Sequence, residues 1–277
     1  MKKTENKDFS ISFVGSGRVA THLAMAFAQA GFKIAGVFSR NVGHAGKLAA
    51  HFGKDCQVFN DLAEIPETDV VFFCISDDAL PHTLQLFQQT HPHTASLLVH
   101  TAGSVSINVF EEAGMENVAK HFGVLYPLQS FSDGRNIDLS HTPAFVEGNN
   151  EASLQTIENL ARHIFRNVSR MDSEHRRFLH LAGVFANNFT NHCYNMAANL
   201  VAKSGANFDV LLPIIEETAE KVKSLPPSQA QTGPAARHDL KTIESHLELL
   251  QNHTPELVSF YKMMSESIMK ENSKDKS

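Results

Sequence analysis

Over residues 1–171 the chain alternates unbroken apolar runs with stretches whose apolar positions recur every three or four residues. The runs at 9–14 (FSISFV), 33–38 (KIAGVF), 70–75 (VVFFCI) and 96–99 (SLLV) read as strands. Between them, helical spacing covers 18–30, 42–52, 80–90 and 105–113. In the first of these, Val19, Leu23, Ala26, Phe27 and Ala30 share a face, and Gly31 supplies a left-handed stop. A further apolar segment at 118–122 precedes a last strand–helix–strand unit through TPAFVEG, SLQTIENLARHIF and NVSRM, ending near Met171. Strands that are apolar on both faces and alternate with helices predict an α/β fold, a mostly parallel sheet with helices on both faces. From Asp172 onward only helical periodicity remains, broken by Pro213, Pro226-Pro227 and TGPAARHD. Two domains are therefore expected: an α/β domain over 1–171 and an all-helical C-terminal domain over 172–277.

The junction of the first strand and helix carries Gly15-Ser16-Gly17-Arg18-Val19-Ala20, a G-x-G-x-x-A turn. The first glycine permits the tight turn and the second lets a pyrophosphate reach the backbone. The small Ala20 allows close helix–strand packing. The helix start then offers unpaired N–H groups and a positive dipole end to phosphate. Gly15, Ser16, Gly17, Arg18 and Val19 are thus expected to hold a dinucleotide. The second strand ends Phe38-Ser39-Arg40-Asn41, without the carboxylate that would grip a ribose 2′-hydroxyl. Ser39 and Arg40 there suit a 2′-phosphate and so NADP, the alternative for Arg40 being a solvated surface cation. The missing carboxylate also weighs against an S-adenosylmethionine methyltransferase.

Two later strand ends should face the same crevice. One carries Ser76, Asp77 and Asp78; the other carries His100 and Thr101, with Gly103 allowing a ligand close. Asp78 reads as a helix cap rather than a catalytic group. The helix at 178–202 holds no Asp, Glu, Lys or Arg. Its asparagines and histidines fit hydrocarbon poorly, so it is not read as a membrane span. Phe178, Leu181, Ala182, Phe185, Phe189, Met196 and Leu200 form one apolar stripe, with His180, Asn187 and Asn191 roughly opposite. An uncharged polar face of this kind expects a cover. It either lines a catalytic cleft between domains, with His180 moving a proton and Asn187 and Asn191 orienting substrate, or forms a hydrogen-bonded core or dimer seam. Arg237, just ahead of Asp239 as a helix cap, could hold a substrate carboxylate or simply face solvent. Thr254 and Pro255 mark the start of the last helix.

Composition narrows the field. A net charge of −6 provides no basic field for nucleic acid. Three well-separated cysteines, Cys56, Cys74 and Cys193, with no secretory segment in the opening residues, point to a reducing cytoplasm without disulfides. The sixteen histidines show no metal-binding spacing, so no metal site is expected. The charged ends MKKTENKD and KENSKDKS read as disordered.

The segments GSGRVATHLA, CISDDAL, HTAGS, GVLYPLQSF, HLAGVFANNFTNH and TGPAARHD together resemble a bacterial two-domain family. In it a Rossmann-like, NADP-oxidoreductase-type domain precedes a helical domain of unknown function. More distantly the layout is similar to pyrroline-5-carboxylate reductase, prephenate dehydrogenase and the 6-phosphogluconate and ketopantoate reductase group; the first domain also resembles the deazaflavin-dependent NADP oxidoreductases. The resemblance implies NADP binding and a homodimer through the helical domain. It carries no substrate. The helix Lys with Asn four residues later, used by the hydroxyacid dehydrogenases of the distant group, is replaced here by His180 and Val184. The His-Pro of prephenate dehydrogenases is replaced by Tyr126-Pro127. The expectation is an NADP-dependent oxidoreductase acting on a small polar substrate at the domain interface; the alternatives are a non-catalytic NADP sensor and a deazaflavin–NADP oxidoreductase.

Overall fold

The computed structural model describes residues 9–274 apart from 92, 95, 133 and 136. An eight-stranded sheet dominates, in the order β3-β2-β1-β4-β5-β6-β7-β8. Its strands are β1 (Ser10–Val14), β2 (Lys33–Phe38), β3 (Gln57–Phe59), β4 (Val70–Phe73), β5 (Leu97–His100), β6 (Phe122–Pro127), β7 (Ala144–Gly148) and β8 (Val168–Arg170). Every pairing is parallel except β6 with β7. Chain order reverses direction across the sheet between β1 and β4, the arrangement of a Rossmann-like fold.

Neighbouring residues of one strand point to opposite faces, and the core follows that rule. Phe13 and Phe72 join one apolar cluster with Leu23, Phe27 and Ile157, while Val14 and Phe73 join another with Leu84, Phe87 and Phe110. The covering helices include α1 (Arg18–Gln29), α2 (Val42–Ala49), α3 (Leu80–Thr90), the short α4 (Val109–Glu112) and α5 (Glu151–Arg162). The helix expected over 105–113 shrinks to α4. β3 was not foreseen, and β6 begins where the apolar segment at 118–122 ends. Gly31 does take positive φ (93°) after α1.

Beyond Arg170 the described residues hold helices and their connections only. α6 (Ser173–Gly183) passes into a π-helical turn, Val184–Phe189, and then α7 (Thr190–Lys203), where the sequence pattern gives one uninterrupted helix. Compact units divide between His192 and Cys193, so α6 and the π turn travel with the sheet. The second unit contains α8 (Leu212–Ser224), α9 (Pro227–Ala230), α10 (Leu240–His253) and α11 (Val258–Lys274). Asp239 caps α10 as expected, accepting the Thr242 N–H at 3.1 Å. Thr254 stands at the start of the last helical stretch, but its hydroxyl is buried without a partner. Residues 1–8 and 275–277 lie outside the described residues, whereas the first five residues of KENSKDKS, expected to lack order, continue α11 to Lys274.

Candidate active site

Strand register brings the sequence-predicted residues to one edge. Val14 pairs with Phe38 and with Phe73, Phe73 with His100, and His100 with Val124. Gly15, Ser39, Cys74 and Thr101 therefore follow at the same level along the carboxyl ends of β1, β2, β4 and β5. Tyr126 stands two residues beyond Val124 on β6.

At the first of these ends Gly15 adopts φ 113° and donates its N–H to the Phe38 carbonyl at 2.8 Å. A Cβ there would stand 2.3 Å from the Cys74 carbonyl oxygen, so only glycine fits. Gly17 differs: a Cβ on it would meet nothing within 4 Å. Gly17 is also the N-cap of α1, no side chain caps that helix, and its first turn holds no acid. This open, uncapped and acid-free helix start fits a pyrophosphate. Ser16 and Val19 are half-buried beside it and Arg18 is exposed. At the end of β2, the Ser39 hydroxyl accepts the Asn41 N–H at 3.2 Å, and Arg40 is exposed.

After β4, Ser76, Asp77 and Asp78 are exposed. Asp77 accepts a hydrogen bond from the Ser104 hydroxyl, tying the β4 and β5 ends together. Asp78 does not cap the following helix, contrary to expectation: no side-chain cap closes the turn Asp77–Ala79 or α3. Thr101 is buried and hydrogen-bonded to Cys74, whose thiol burial pushes up to about 12. His100 does not present its ring to the crevice but turns it inward behind the strand end. Its side chain is fully buried, stacked on Phe110, with Nδ1 accepting the Ala102 N–H at 3.2 Å. Burial, then the nearby Arg176 charge, take its pKa down to about 3, so it is a neutral part of the crevice wall.

Tyr126 and His180 meet over Gly103. Tyr126 Oη lies 3.1 Å from His180 Nδ1. A Cβ on Gly103 would stand 2.5 Å from that same Nδ1 and 2.7 Å from the Tyr126 ring, so glycine is what lets α6 close onto the β5 end. Burial raises the Tyr126 pKa above its ordinary value; Arg176 opposes the shift and Asp77 adds to it. The sequence pattern singled out His180 but not its partner.

Arg176, one helical turn before His180, reads in the sequence as an ordinary helix cation. It is fully buried and ion-paired with Glu147 of β7. It also donates to the Val105 carbonyl at 2.6 Å and the Ser173 hydroxyl at 3.1 Å. Glu147 in turn accepts the Ser173 N–H at 3.0 Å and its hydroxyl at 2.7 Å. This network pins α6 to the sheet and to the loop carrying Gly103.

A cavity of about 340 Å³ opens beside the pair, lined by Tyr126, Gln129, Ser130, His180, Asn187 and Asn188 among others. A second, of about 650 Å³, takes in Asn191 and Arg135. The structure thus brings His180 and Asn187 to one cavity and Asn191 to its neighbour. The apolar stripe is not core: Phe178, Phe185 and Phe189 are 69%, 62% and 51% exposed. Arg237 is exposed in the second unit. Among the described residues no three His, Cys, Asp or Glu side chains gather as metal ligands, and no described helix is long and apolar enough to cross a membrane.

Residues 10–102 match the family described as NADP oxidoreductase, coenzyme F420-dependent, and residues 142–268 match a domain of unknown function, DUF2520. A Bacteroides fragilis protein described as a candidate NADP oxidoreductase is 38% identical, over 96% of this chain and 99% of its own, with a TM-score of 0.86. The chain belongs to this two-domain oxidoreductase family. Other members of the same fold are more remote. An imine reductase of Streptomyces aurantiacus is 12% identical, covering 97% and 99% of the two chains, at TM-score 0.70. The NADP-bound pyrroline carboxylate reductase of Plasmodium falciparum is 12% identical, covering 95% and 99%, at TM-score 0.58. No curated protein matches. Family membership makes this a nicotinamide-dinucleotide oxidoreductase family protein, with the glycine turn at the site where the fold holds its dinucleotide.

Proposed function

We propose that the protein is an NADP-dependent oxidoreductase that moves a hydride to or from a small polar substrate beside the Tyr126–His180 pair. The observation that carries this reading is the 3.1 Å contact between the two, seated on Gly103 at the sheet edge where the nucleotide turn also lies. Gly15, Ser16, Gly17, Arg18 and Val19 hold the pyrophosphate, and Ser39 and Arg40 receive the 2′-phosphate. Ser76, Asp77 and Thr101 border the ribose and nicotinamide, with His100 supporting them from below. The bound nicotinamide supplies the hydride chemistry; the protein supplies placement and the proton.

Burial keeps the Tyr126 phenol protonated at neutral pH, so a proton lies between Oη and Nδ1 of His180, with the donor set by the imidazole tautomer. The pair shares one proton at the cavity wall and can pass it to a substrate atom that gains negative charge, or take it back in the reverse direction. Asn187, and Asn191 further along, offer amide groups that orient the substrate. We assign nucleotide binding to residues 1–171, and a dimer contact to the helical residues 172–277. The exposed Phe178, Leu181, Phe185 and Phe189 are the surface a second copy would cover. The protein is read as cytoplasmic.

Titrating NADPH and NADH against wild type and Arg40→Ala tests the cofactor. NADPH should bind more tightly than NADH, and Arg40→Ala should cost about tenfold in NADPH affinity alone. Equal binding of the two by wild type would remove the 2′-phosphate assignment. A panel of 2-oxo acids, hydroxy acids and cyclic imines tests the reaction. Turnover that falls about 10²-fold or more in His180→Ala and Tyr126→Phe supports it. Tight NADPH binding with no turnover across the panel favours a cofactor sensor instead.

A further inference from the structure

The cavity beside His180 and its neighbour share Gln129, Ser130, Asn187 and Asn188. They form one cleft that starts at Tyr126 and His180 and reaches Arg135. Its lining is uneven in charge. No Asp or Glu contributes among the described residues, and Arg135 is the single guanidinium or ammonium group. The rest of the polar lining consists of hydroxyls, side-chain amides and the His180 imidazole, which solvate a polar ligand without competing for the cation. His22 of α1 lies with Nε2 3.1 Å from the Arg135 carbonyl, next to that stretch. The π turn Val184–Phe189 also lines the cleft through Asn187 and Asn188, and such turns are frequent at functional sites.

We infer that the substrate is a small carboxylate, its reacting carbon at Tyr126–His180 and its carboxylate at Arg135. Arg135 is exposed and on its other side borders a cavity with Asp138; towards the cleft, where no described side chain is acidic, its planar fork fits two carboxylate oxygens. Together the cavities suit a molecule of metabolite size rather than a polymer. The inference rests on the oxidoreductase reading of the same site.

Calorimetry on the full-length protein, with and without saturating NADPH, tests it using paired probes whose acid group stands several atoms from the carbonyl: 4-oxopentanoate against 2-pentanone, and 5-oxohexanoate against 2-hexanone. At least one acid should bind about tenfold more tightly than its neutral counterpart. Arg135→Gln should abolish that preference, and Arg135→Lys should keep part of it. Acids and neutral probes binding alike, a preference that survives Arg135→Gln, or no acid binding at millimolar concentration would each overturn the inference. NADPH affinity is read in the same experiment. Loss of the oxidoreductase reading would appear as absent NADPH binding, whereas the anion preference is still scored on the free protein.

Discussion

Tyr126 and His180, 54 residues apart in sequence, are held 3.1 Å apart from hydroxyl to ring nitrogen. One comes from the sixth strand and the other from the first helix after the sheet, so the contact exists only because α6 lies against the strand ends. Two features allow that approach: the bare backbone of Gly103 beneath both rings and the buried Arg176 one turn earlier on α6.

Gly103→Ala places a methyl 2.5 Å from His180 Nδ1 and 2.7 Å from the Tyr126 ring. The overpacking should cost about 1–3 kcal/mol in a urea titration. Turnover should fall at least as far as in Tyr126→Phe, because the pair itself is displaced. Unchanged turnover would mean that the contact plays no part in the reaction.

Gly15→Ala and Gly17→Ala separate backbone conformation from ligand approach. The first combines φ 113° with a Cβ 2.3 Å from the Cys74 carbonyl, and should destabilise the fold by about 1–3 kcal/mol or more. The second meets nothing within 4 Å and should leave thermal stability unchanged while weakening NADPH binding. A Gly17→Ala protein that binds NADPH as tightly as wild type would place the pyrophosphate elsewhere.

Arg176→Met leaves Glu147 without its guanidinium in a largely buried setting. Removing one partner of such a pair costs about 3–5 kcal/mol. Adding Glu147→Leu should recover part of the loss, since two apolar side chains of similar size need no compensation. Denaturant midpoints of the single and double variants check this, and a single variant as stable as wild type would contradict the clamp.

His100 links stability to acid pH. Folding lowers its pKa from about 6.5 to about 3, so between those values the unfolded chain binds a proton that the folded protein does not. Stability is then full above about 6.5 and falls as pH drops towards 3. His100→Asn removes the titrating ring and leaves an amide oxygen to accept the Ala102 N–H. It should flatten the slope of unfolding free energy over that window, as read from urea titrations at successive pH values.

How far residues could be read from sequence depended on whether their neighbours along the chain explain them. Strands β1, β2, β4 and β5 were legible because their sides are both apolar, and the G-x-G-x-x-A turn because the glycine requirement is local to one strand–helix junction. β3, only Gln57–Phe59, is too short and too polar at Gln57 to carry a period. Asp78 had the spacing of a cap and no side-chain bond in place. His100 had a strand-end position, yet the strand still runs at that residue and turns its ring inward to Phe110.

Local order along the chain was enough to determine an alternating α/β region, a helical C-terminal part and a tight glycine turn between the first strand and helix, since each follows from periodicity and from what glycine alone permits. Tertiary packing alone decided that Tyr126 partners His180, that Arg176 is a buried clamp and that Arg135 ends the polar cleft. Each of those depends on side chains brought together across the sheet, and no spacing along one segment records such a distance.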